Sequence, residues 1–307
     1  MESSGNSVNQ VERCFDFRGV GTALITPFEE DLSIDLEALD VLVERQLNSG
    51  IKCLVVAGTT GEAATLTDAE WASLVKRIVD RTKGRGLVIV GAGTNSTRST
   101  IEKCIKAFDL GGDAVLLVTP YYNKPSQEGL LVHFSEVASK VDGPIVIYNV
   151  PGRTGVNILP DTVLKLASQF KNIVGIKESS GSLNQIMELI LKRPVGFKVY
   201  SGDDHLAFAS ISLGGDGVIS VVSNEIPNEM NKLVEFLFEN RLLEARSLHF
   251  KFLKLMEMNF IETNPAPCKF ILSEMNLIKN VLRPPLVPVR PDSETVLRDL
   301  VRSLELI

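Results

Sequence analysis

The sequence is poor in cysteine, and the cysteines that it has do not form a CxxC pair. Residues so far apart in the chain do not indicate a zinc site or a disulfide framework. Isolated cysteines of this kind are typical of reduced thiols, so we expect a cytoplasmic protein without cysteine redox chemistry. The four positions are Cys14, Cys53, Cys104 and Cys268.

An excess of positive charge and a long apolar run are also missing. The formal net charge is −6, and the 32 Lys and Arg residues are dispersed along the chain. Nucleic acids and anionic membranes require clustered positive charge, and a bilayer-spanning helix requires about 18 apolar residues in succession. We therefore expect neither nucleic acid nor membrane as a partner. Residues 1–15, which lack the apolar core of a signal peptide, are expected to form a flexible tail.

What the chain does contain is a regular alternation of apolar strand-like runs and amphipathic helical segments. Segments 36–47, 69–81 and 99–110 have helical spacing, and Thr67 with Glu70 has the pattern of a helix-capping box. Pro160 stands where a first helical turn begins. Eight strand-like runs lie between residues 19 and 223: "GVGTALITPF", "IKCLVVAG", "LVIVGAG", "DAVLLVTP", "PIVIYNVP", "NIVGIKES", "FKVYSGDD" and "GVISVVS".

Eight βα units in this length predict a closed (β/α)₈ barrel, or TIM barrel, of class α/β. The alternative is an open doubly wound sheet, but its glycine fingerprint is incomplete, because "GAGTNS" has serine in place of the last glycine. The pattern places the catalytic barrel domain at 16–240. Further helical segments, interrupted by the prolines of "VLRPPLVPVRP", predict an additional C-terminal helical region at 241–307.

Unusual residues fall where the barrel strands end. In this fold the carboxyl ends of the strands and the loops after them surround the active site. We therefore expect the following motifs to converge at one mouth of the barrel: "GTTGE" (58–62), "TPYYNKP" (119–125), "YNVPGRTG" (148–155), Lys177, and "SGDDH" (201–205).

Lys177 ends the apolar run "NIVGIK", where a buried strand has no ordinary use for an amine. Burial there removes solvation from the ammonium form and favours a neutral amine, which can attack a carbonyl carbon and form a Schiff base. The alternative is a lysine that extends its head to water at the strand end, paired with Glu178.

Three neighbouring features favour the catalytic interpretation. Tyr148 follows "PIVI", so its hydroxyl can reach the barrel mouth as a proton donor and acceptor, although a core tyrosine has the same pattern. "GTTGE" offers hydroxyls and backbone N–H groups that suit a small carboxylate, although every helix needs an N-terminal turn. Arg153 can meet a carboxylate at two points, or it is a solvated surface arginine.

No metal site is expected. "SGDDH" places two carboxylates and an imidazole in succession, but consecutive loop residues rarely point at one ion. His133 and His249 lie within helical segments and are typical of packed or surface residues. The HExxH, GxSxG and P-loop motifs are absent.

Five motifs in this order and spacing resemble the dihydrodipicolinate synthases (4-hydroxy-tetrahydrodipicolinate synthases), a family of pyruvate-dependent class I aldolases. The resemblance extends from about Phe17 to the C-terminus, through "GTTGE", "TPYYNKPSQEG", "YNVPGRTG", "GIKESSG" and "SGDD". It implies a (β/α)₈ barrel with C-terminal helices, a homotetramer, and condensation of pyruvate with L-aspartate 4-semialdehyde without metal or organic cofactor.

The resemblance also implies roles for individual residues. Lys177 corresponds to the lysine that forms the imine with pyruvate, and Tyr148 to the general acid and base. Thr60 corresponds to the hydroxyl that links Tyr148 to a second tyrosine, Tyr122, which reaches into the neighbouring subunit. The substrate-binding positions implied are Thr59 and Thr60 for the pyruvate carboxylate, Arg153 for aspartate semialdehyde, and Gly202 and Ile219 in the pocket wall.

Lysine-inhibited members of the family have an allosteric pocket at a subunit interface, and this sequence keeps only part of it. Ala64, Asn95 and Tyr121 match the pattern. Ser99 replaces a glutamate that binds the effector's ammonium group, and loss of a charged partner weakens binding by a factor of about a hundred. The resemblance therefore predicts weak or absent inhibition by L-lysine. The other departures are Ala63 for a hydroxyl-bearing residue, and Asp68 and Trp71 for histidines.

Two alternatives remain open from the sequence. The first is another aldolase of the same superfamily, such as N-acetylneuraminate lyase or a 2-keto-3-deoxy sugar acid aldolase, which would accept a different aldehyde. Tyr121, Tyr122 and the "NVPGRT" loop favour the synthase. The second is a non-catalytic barrel that binds 2-oxo acids, which is disfavoured because all four expected catalytic residues are present.

Overall fold

A closed barrel of eight parallel strands forms the centre of the protein in a computed structural model that describes residues 15–307. Each strand pairs with the next in sequence, and the last returns to the first. The predicted (β/α)₈ barrel is confirmed. The strands are β1 Gly19–Ala23, β2 Cys53–Val56, β3 Leu87–Gly91, β4 Ala114–Val118, β5 Ile145–Asn149, β6 Ile173–Glu178, β7 Lys198–Ser201 and β8 Gly217–Ser220.

Helices follow the strands and cover the outside of the barrel. Thr67 caps the helix Asp68–Thr82 with the reciprocal Glu70 contact that its sequence predicts, and Pro160 opens the helix Pro160–Gln169. The helices of this part of the chain are α1 Leu36–Asn48, α2 Asp68–Thr82, α3 Thr97–Asp109, α4 Gln127–Lys140, α5 Pro151–Thr154, α6 Pro160–Gln169, α7 Leu183–Lys192, α8 Asp204–Ser212 and α9 Pro227–Phe238.

The chain continues in helices beyond α9, as predicted. These are α10 Leu242–Met258, α11 Ala266–Glu274 and α12 Pro291–Ser303. Across residues 15–307, none of the helices combines the length and the apolar character needed to cross a bilayer. The predicted tail lies outside the described residues except for its last residue, and the domain boundary at 240 stays a prediction.

The core has two layers, one inside the barrel and one between strands and helices. Val55, Ile89, Val146 and Ile219 belong to the inner cluster, which fills the barrel so that it has no pore. At the seam between β8 and β1, a Cβ atom at Gly217 would lie 2.0 Å from the Gly19 carbonyl oxygen. Only glycine allows the barrel to close there, because the two backbones touch.

His133 on α4 provides a pH-dependent contribution to stability. It is buried, its Nδ1 lies 2.9 Å from Thr97 Oγ1, and burial lowers its pKa from 6.5 to about 4. Between these values the unfolded chain binds a proton that the folded protein does not, so acidification through pH 6.5 to 4 destabilises the fold. The free energy of unfolding that His133 contributes, and that is lost on acidification, reaches about 3 kcal/mol.

We expect His133→Gln to flatten this part of the pH profile, because glutamine does not titrate. Urea denaturation at intervals between pH 7 and 4 measures the effect. Parallel stability profiles for the two proteins would show that His133 does not charge on unfolding.

Candidate active site

Lys177 lies on β6 with its amine against an aromatic ring at the mouth of the barrel. It pairs with Tyr148 on β5 and is 5% exposed, and its Nζ lies 4.5 Å from the centre of the Tyr148 ring. Lys177 and Tyr148, predicted from separate motifs, are therefore brought together. A lysine head extended to water is excluded by this burial.

Glu178 does not pair with Lys177, because adjacent strand residues face opposite sides. Its carboxylate accepts hydrogen bonds from Asn149 Nδ2 at 3.0 Å, Gln185 Nε2 at 2.9 Å and the Ser180 backbone N–H at 2.7 Å. Burial raises the pKa of the Glu178 carboxyl, and these donors oppose the rise. Glu178 thus belongs to a network behind the strand.

A cavity of about 420 Å³ opens in front of Tyr148 and has the size of a small-molecule site. Thr59, Arg153 and Tyr121 also line it. Lys177 and Thr60 are not among its lining residues. A second, open depression of about 500 Å³ lies at residues 138–142 and 169–172, near the amino ends of β5 and β6, and contains none of the predicted site residues.

The two threonines of "GTTGE" have different surroundings. Thr59 is half-buried and faces the cavity, whereas Thr60 is 3% exposed. Thr60 Oγ1 accepts a hydrogen bond from Asn264 Nδ2 at 3.0 Å. The loop that carries them is held by Thr26, whose hydroxyl donates to the Gly61 carbonyl oxygen at 2.8 Å.

Arg153 stands at the entrance of the cavity on the short helix α5. Its side chain is exposed, and Nη2 donates to the Asn264 backbone oxygen at 3.2 Å. This single contact orients the guanidinium toward the cavity and leaves other N–H groups for a carboxylate.

Gly202 leaves room for Lys177. A Cβ atom at this position would lie 2.9 Å from Lys177 Cε and 1.7 Å from Ser179 Oγ. Any side chain here would therefore displace the lysine. Ile219 on β8 is fully buried in the inner cluster that also contains Tyr148.

Tyr122 is not brought into the site by this chain. Its side chain is 87% exposed and its φ is +72°. Within residues 15–307 no hydrogen bond joins it to Tyr148 or Thr60. The predicted role of Tyr122 in a neighbouring subunit stays a prediction.

Three of the seven predicted allosteric positions line the same cavity. Ala63, Ala64 and Tyr121 line it. Trp71 is buried and donates from Nε1 to the Gly91 carbonyl oxygen at 3.1 Å. The Asn95 carbonyl oxygen accepts from Asn123 Nδ2 at 2.9 Å, and Asp68 and Ser99 lie in the first turns of α2 and α3.

Lys103 was missed by the sequence reasoning. Its Nζ lies 4.9 Å from the Trp71 ring centre, and the residue lines the cavity. Burial lowers the pKa of Lys103, and Asp68 opposes this shift. The sequence indicates this position of Lys103 only through its spacing of four residues from Ser99, which places both side chains on one helix face.

A buried ion pair between Glu62 and Lys269 was also missed. Both side chains are completely buried, and Lys269 Nζ also donates to the Val281 carbonyl oxygen at 2.9 Å. Burial lowers the pKa of Lys269 to about 8. Since Glu62 closes the "GTTGE" loop, this pair ties the loop to α11.

Asp204 of the segment "SGDDH" has a structural role, because it binds backbone groups. One oxygen of Asp204 accepts from the backbone N–H groups of Val221 at 3.0 Å and Val222 at 2.9 Å. Among residues 15–307 no three His, Cys, Asp or Glu side chains form a group that could hold a metal ion.

Comparison with known proteins agrees with this geometry. The model of the Dihydrodipicolinate synthetase family matches residues 16–304. The 4-hydroxy-tetrahydrodipicolinate synthase of Chlorobium luteolum is 46% identical over 290 residues, which cover 94% of this chain and 97% of the relative.

Two crystal structures of dihydrodipicolinate synthases are similar throughout. The Thermotoga maritima protein has a TM-score of 0.93 and 45% identity, covering 95% of this chain and 99% of that one. The chloride-inhibited Acinetobacter baumannii protein, complexed with pyruvate, has a TM-score of 0.93 and 40% identity, and the match covers 95% of this chain and 100% of that one. This chain belongs to the Dihydrodipicolinate synthetase family.

Proposed function

We propose that this protein is a lyase that condenses pyruvate with L-aspartate 4-semialdehyde to 4-hydroxy-tetrahydrodipicolinate. This reaction is the first committed step of lysine and diaminopimelate biosynthesis. The observation that carries the proposal is Lys177, an amine buried against Tyr148 in a chain that the family model matches from residue 16 to 304.

The proposed reaction begins when the neutral Lys177 amine attacks the ketone carbon of pyruvate and water leaves. The resulting iminium acts as an electron sink, so a methyl proton can be removed to give an enamine. Tyr148 moves this proton, linked through Thr60 to Tyr122 of a neighbouring copy. The burial of Lys177 and Tyr148 supports this step because it removes competing water.

The enamine carbon then bonds to the aldehyde carbon of the second substrate, and the aldehyde oxygen becomes a hydroxyl. The substrate's own amine attacks the imine carbon, closes the ring and releases Lys177. In the proposed binding mode, Thr59 and Thr60 hold the pyruvate carboxylate and Arg153 holds that of the second substrate. Gly202 and Ile219 complete the wall.

The covalent imine supplies the electron sink, so we propose that no metal or organic cofactor takes part. We also propose a cytoplasmic enzyme that acts on small molecules as a homotetramer, a dimer of dimers. The exposed Tyr122 side chain supports this assembly, because its hydroxyl is free to meet a second copy. Sedimentation velocity of the purified protein tests it.

Two measurements test the function. The protein is supplied with pyruvate and, in separate reactions, with L-aspartate 4-semialdehyde or with sugar aldehydes, and aldehyde consumption is followed. Turnover with only the sugar aldehydes would contradict the proposal. Reduction with borohydride in the presence of pyruvate should add the mass of the reduced adduct at Lys177, and an unmodified protein would indicate binding alone.

We expect weak or absent inhibition by L-lysine. Ser99 supplies no carboxylate for the effector's ammonium group, and the Lys103 ammonium, which lines the cavity together with Ala64 and Tyr121, repels it. Initial rates against L-lysine concentration measure this, and half-inhibition below 1 mM would contradict it. Ser99→Glu combined with Lys103→Ala should lower the half-inhibitory concentration.

A further inference from the structure

We infer that Asn264 is a positioning residue that fixes the direction of the Thr60 hydroxyl group in the active site. The inference rests on the function proposed above. Asn264 belongs to the connection between α10 and α11, outside the barrel strands, and none of the sequence motifs includes it.

The contact between the two side chains is buried. Asn264 and Thr60 are each 3% exposed, and Asn264 lines the cavity in front of Tyr148. Asn264 Nδ2 donates to Thr60 Oγ1 at 3.0 Å. Within residues 15–307 the Thr60 hydroxyl has no other hydrogen-bond partner.

The direction of this hydrogen bond decides what Thr60 offers to a ligand. A threonine hydroxyl has one proton and two lone pairs, whereas an amide nitrogen only donates. Because Thr60 Oγ1 accepts from Asn264, its proton stays available for a substrate oxygen. A carboxylate oxygen of pyruvate only accepts hydrogen bonds, so this is the orientation that it requires.

Asn264 is held in place by contacts that do not involve its side chain. Its backbone oxygen accepts the hydrogen bond from Arg153. The following helix, α11, is tied to the "GTTGE" loop by the ion pair between Lys269 and Glu62. Side-chain substitutions at Asn264 therefore leave the local backbone anchored.

The experiment compares Asn264→Asp with Asn264→Ala. Aspartate has the shape of asparagine, but an ionised carboxylate only accepts, so it draws the Thr60 proton away from pyruvate. At pH 8.5 we expect kcat/KM for pyruvate to fall about tenfold in Asn264→Ala and by about tenfold more in Asn264→Asp, mainly through KM.

The order of the two variants separates positioning from a merely structural role. Removing a packed side chain makes alanine the worse substitution, whereas the inference makes the isosteric aspartate worse. Burial at this position raises the pKa of the introduced aspartate, and protonation restores a donor, so the activity of Asn264→Asp relative to the unsubstituted enzyme should recover as pH falls from 9 to 6. In a Thr60→Val background, Asn264→Asp should add little further loss.

Asn172→Asp is the matched control, because Asn172 Nδ2 donates to the Ala138 and Val141 carbonyl oxygens near the other end of the barrel. It should retain kcat/KM. If Asn264→Asp is at least as active as Asn264→Ala at every pH, the inference is wrong. Failure of the unsubstituted protein to form a trapped pyruvate adduct would instead overturn the proposed function, and this inference with it.

Discussion

Replacing Lys177 by alanine lowers kcat/KM for the condensation by more than about 100-fold, because it removes the amine that forms the imine. Borohydride trapping of pyruvate is lost as well. Lys177→Arg has the same result, since a guanidinium keeps its proton and cannot act as the nucleophile. Steady-state rates and intact-protein mass spectrometry measure the two effects.

Lys198→Arg is the control, because Lys198 is a half-buried lysine on the neighbouring strand. Lys198 begins β7, near the opposite end of the barrel, where its amine forms ion pairs with Asp16 at 2.5 Å and with Asp216 at 3.8 Å. Arginine keeps this charge, so activity and trapping should be unchanged. Turnover of folded Lys177→Ala at close to the original rate would show that the reaction does not pass through a covalent imine.

Replacing Lys269 by methionine destabilises the protein by about 3–5 kcal/mol, because it leaves the buried Glu62 carboxylate without its cation. Both side chains are completely buried. The Glu62 carboxylate keeps one other donor, the Arg283 backbone N–H at 3.0 Å, which does not neutralise its charge. The urea midpoint of unfolding and the melting temperature measure the loss.

Two comparisons isolate the buried charge in this prediction. Glu62→Gln combined with Lys269→Met removes both charges and should cost less than Lys269→Met alone. Lys76→Met removes an exposed partner of Asp80 on α2 and should change stability by less than about 1 kcal/mol. Equal losses from Lys269→Met and Lys76→Met would show that the buried pair does not stabilise the fold.

The barrel and the centre of the site were predictable because they are encoded locally. Each strand is a short apolar run followed by a loop, and the strand order follows the sequence order. Lys177 and Tyr148 interrupt or end such runs with a polar group. Once the barrel is assumed, its geometry alone brings strand ends together, so their proximity needed no further information.

Asn264, Lys269 and Lys103 were not predictable in this way. Asn264 meets Thr60 across 204 positions of sequence, and nothing in "ETNPAPCK" indicates that contact. Lys269 occupies a helical segment in which a lysine is ordinarily solvated. Lys103 is part of a polar helix whose cavity-facing side becomes evident only when α2 and α3 are packed together.

The contact between Asn264 and Thr60 also has a consequence for protein synthesis. A ribosome completes β8 at Ser220 well before it adds Asn264, at roughly 5–20 residues per second. During that interval every barrel strand exists, yet the loop with Thr60 lacks the asparagine and lysine that hold it. The loop with Thr60 therefore reaches its full set of contacts only after the C-terminal helices have been synthesised.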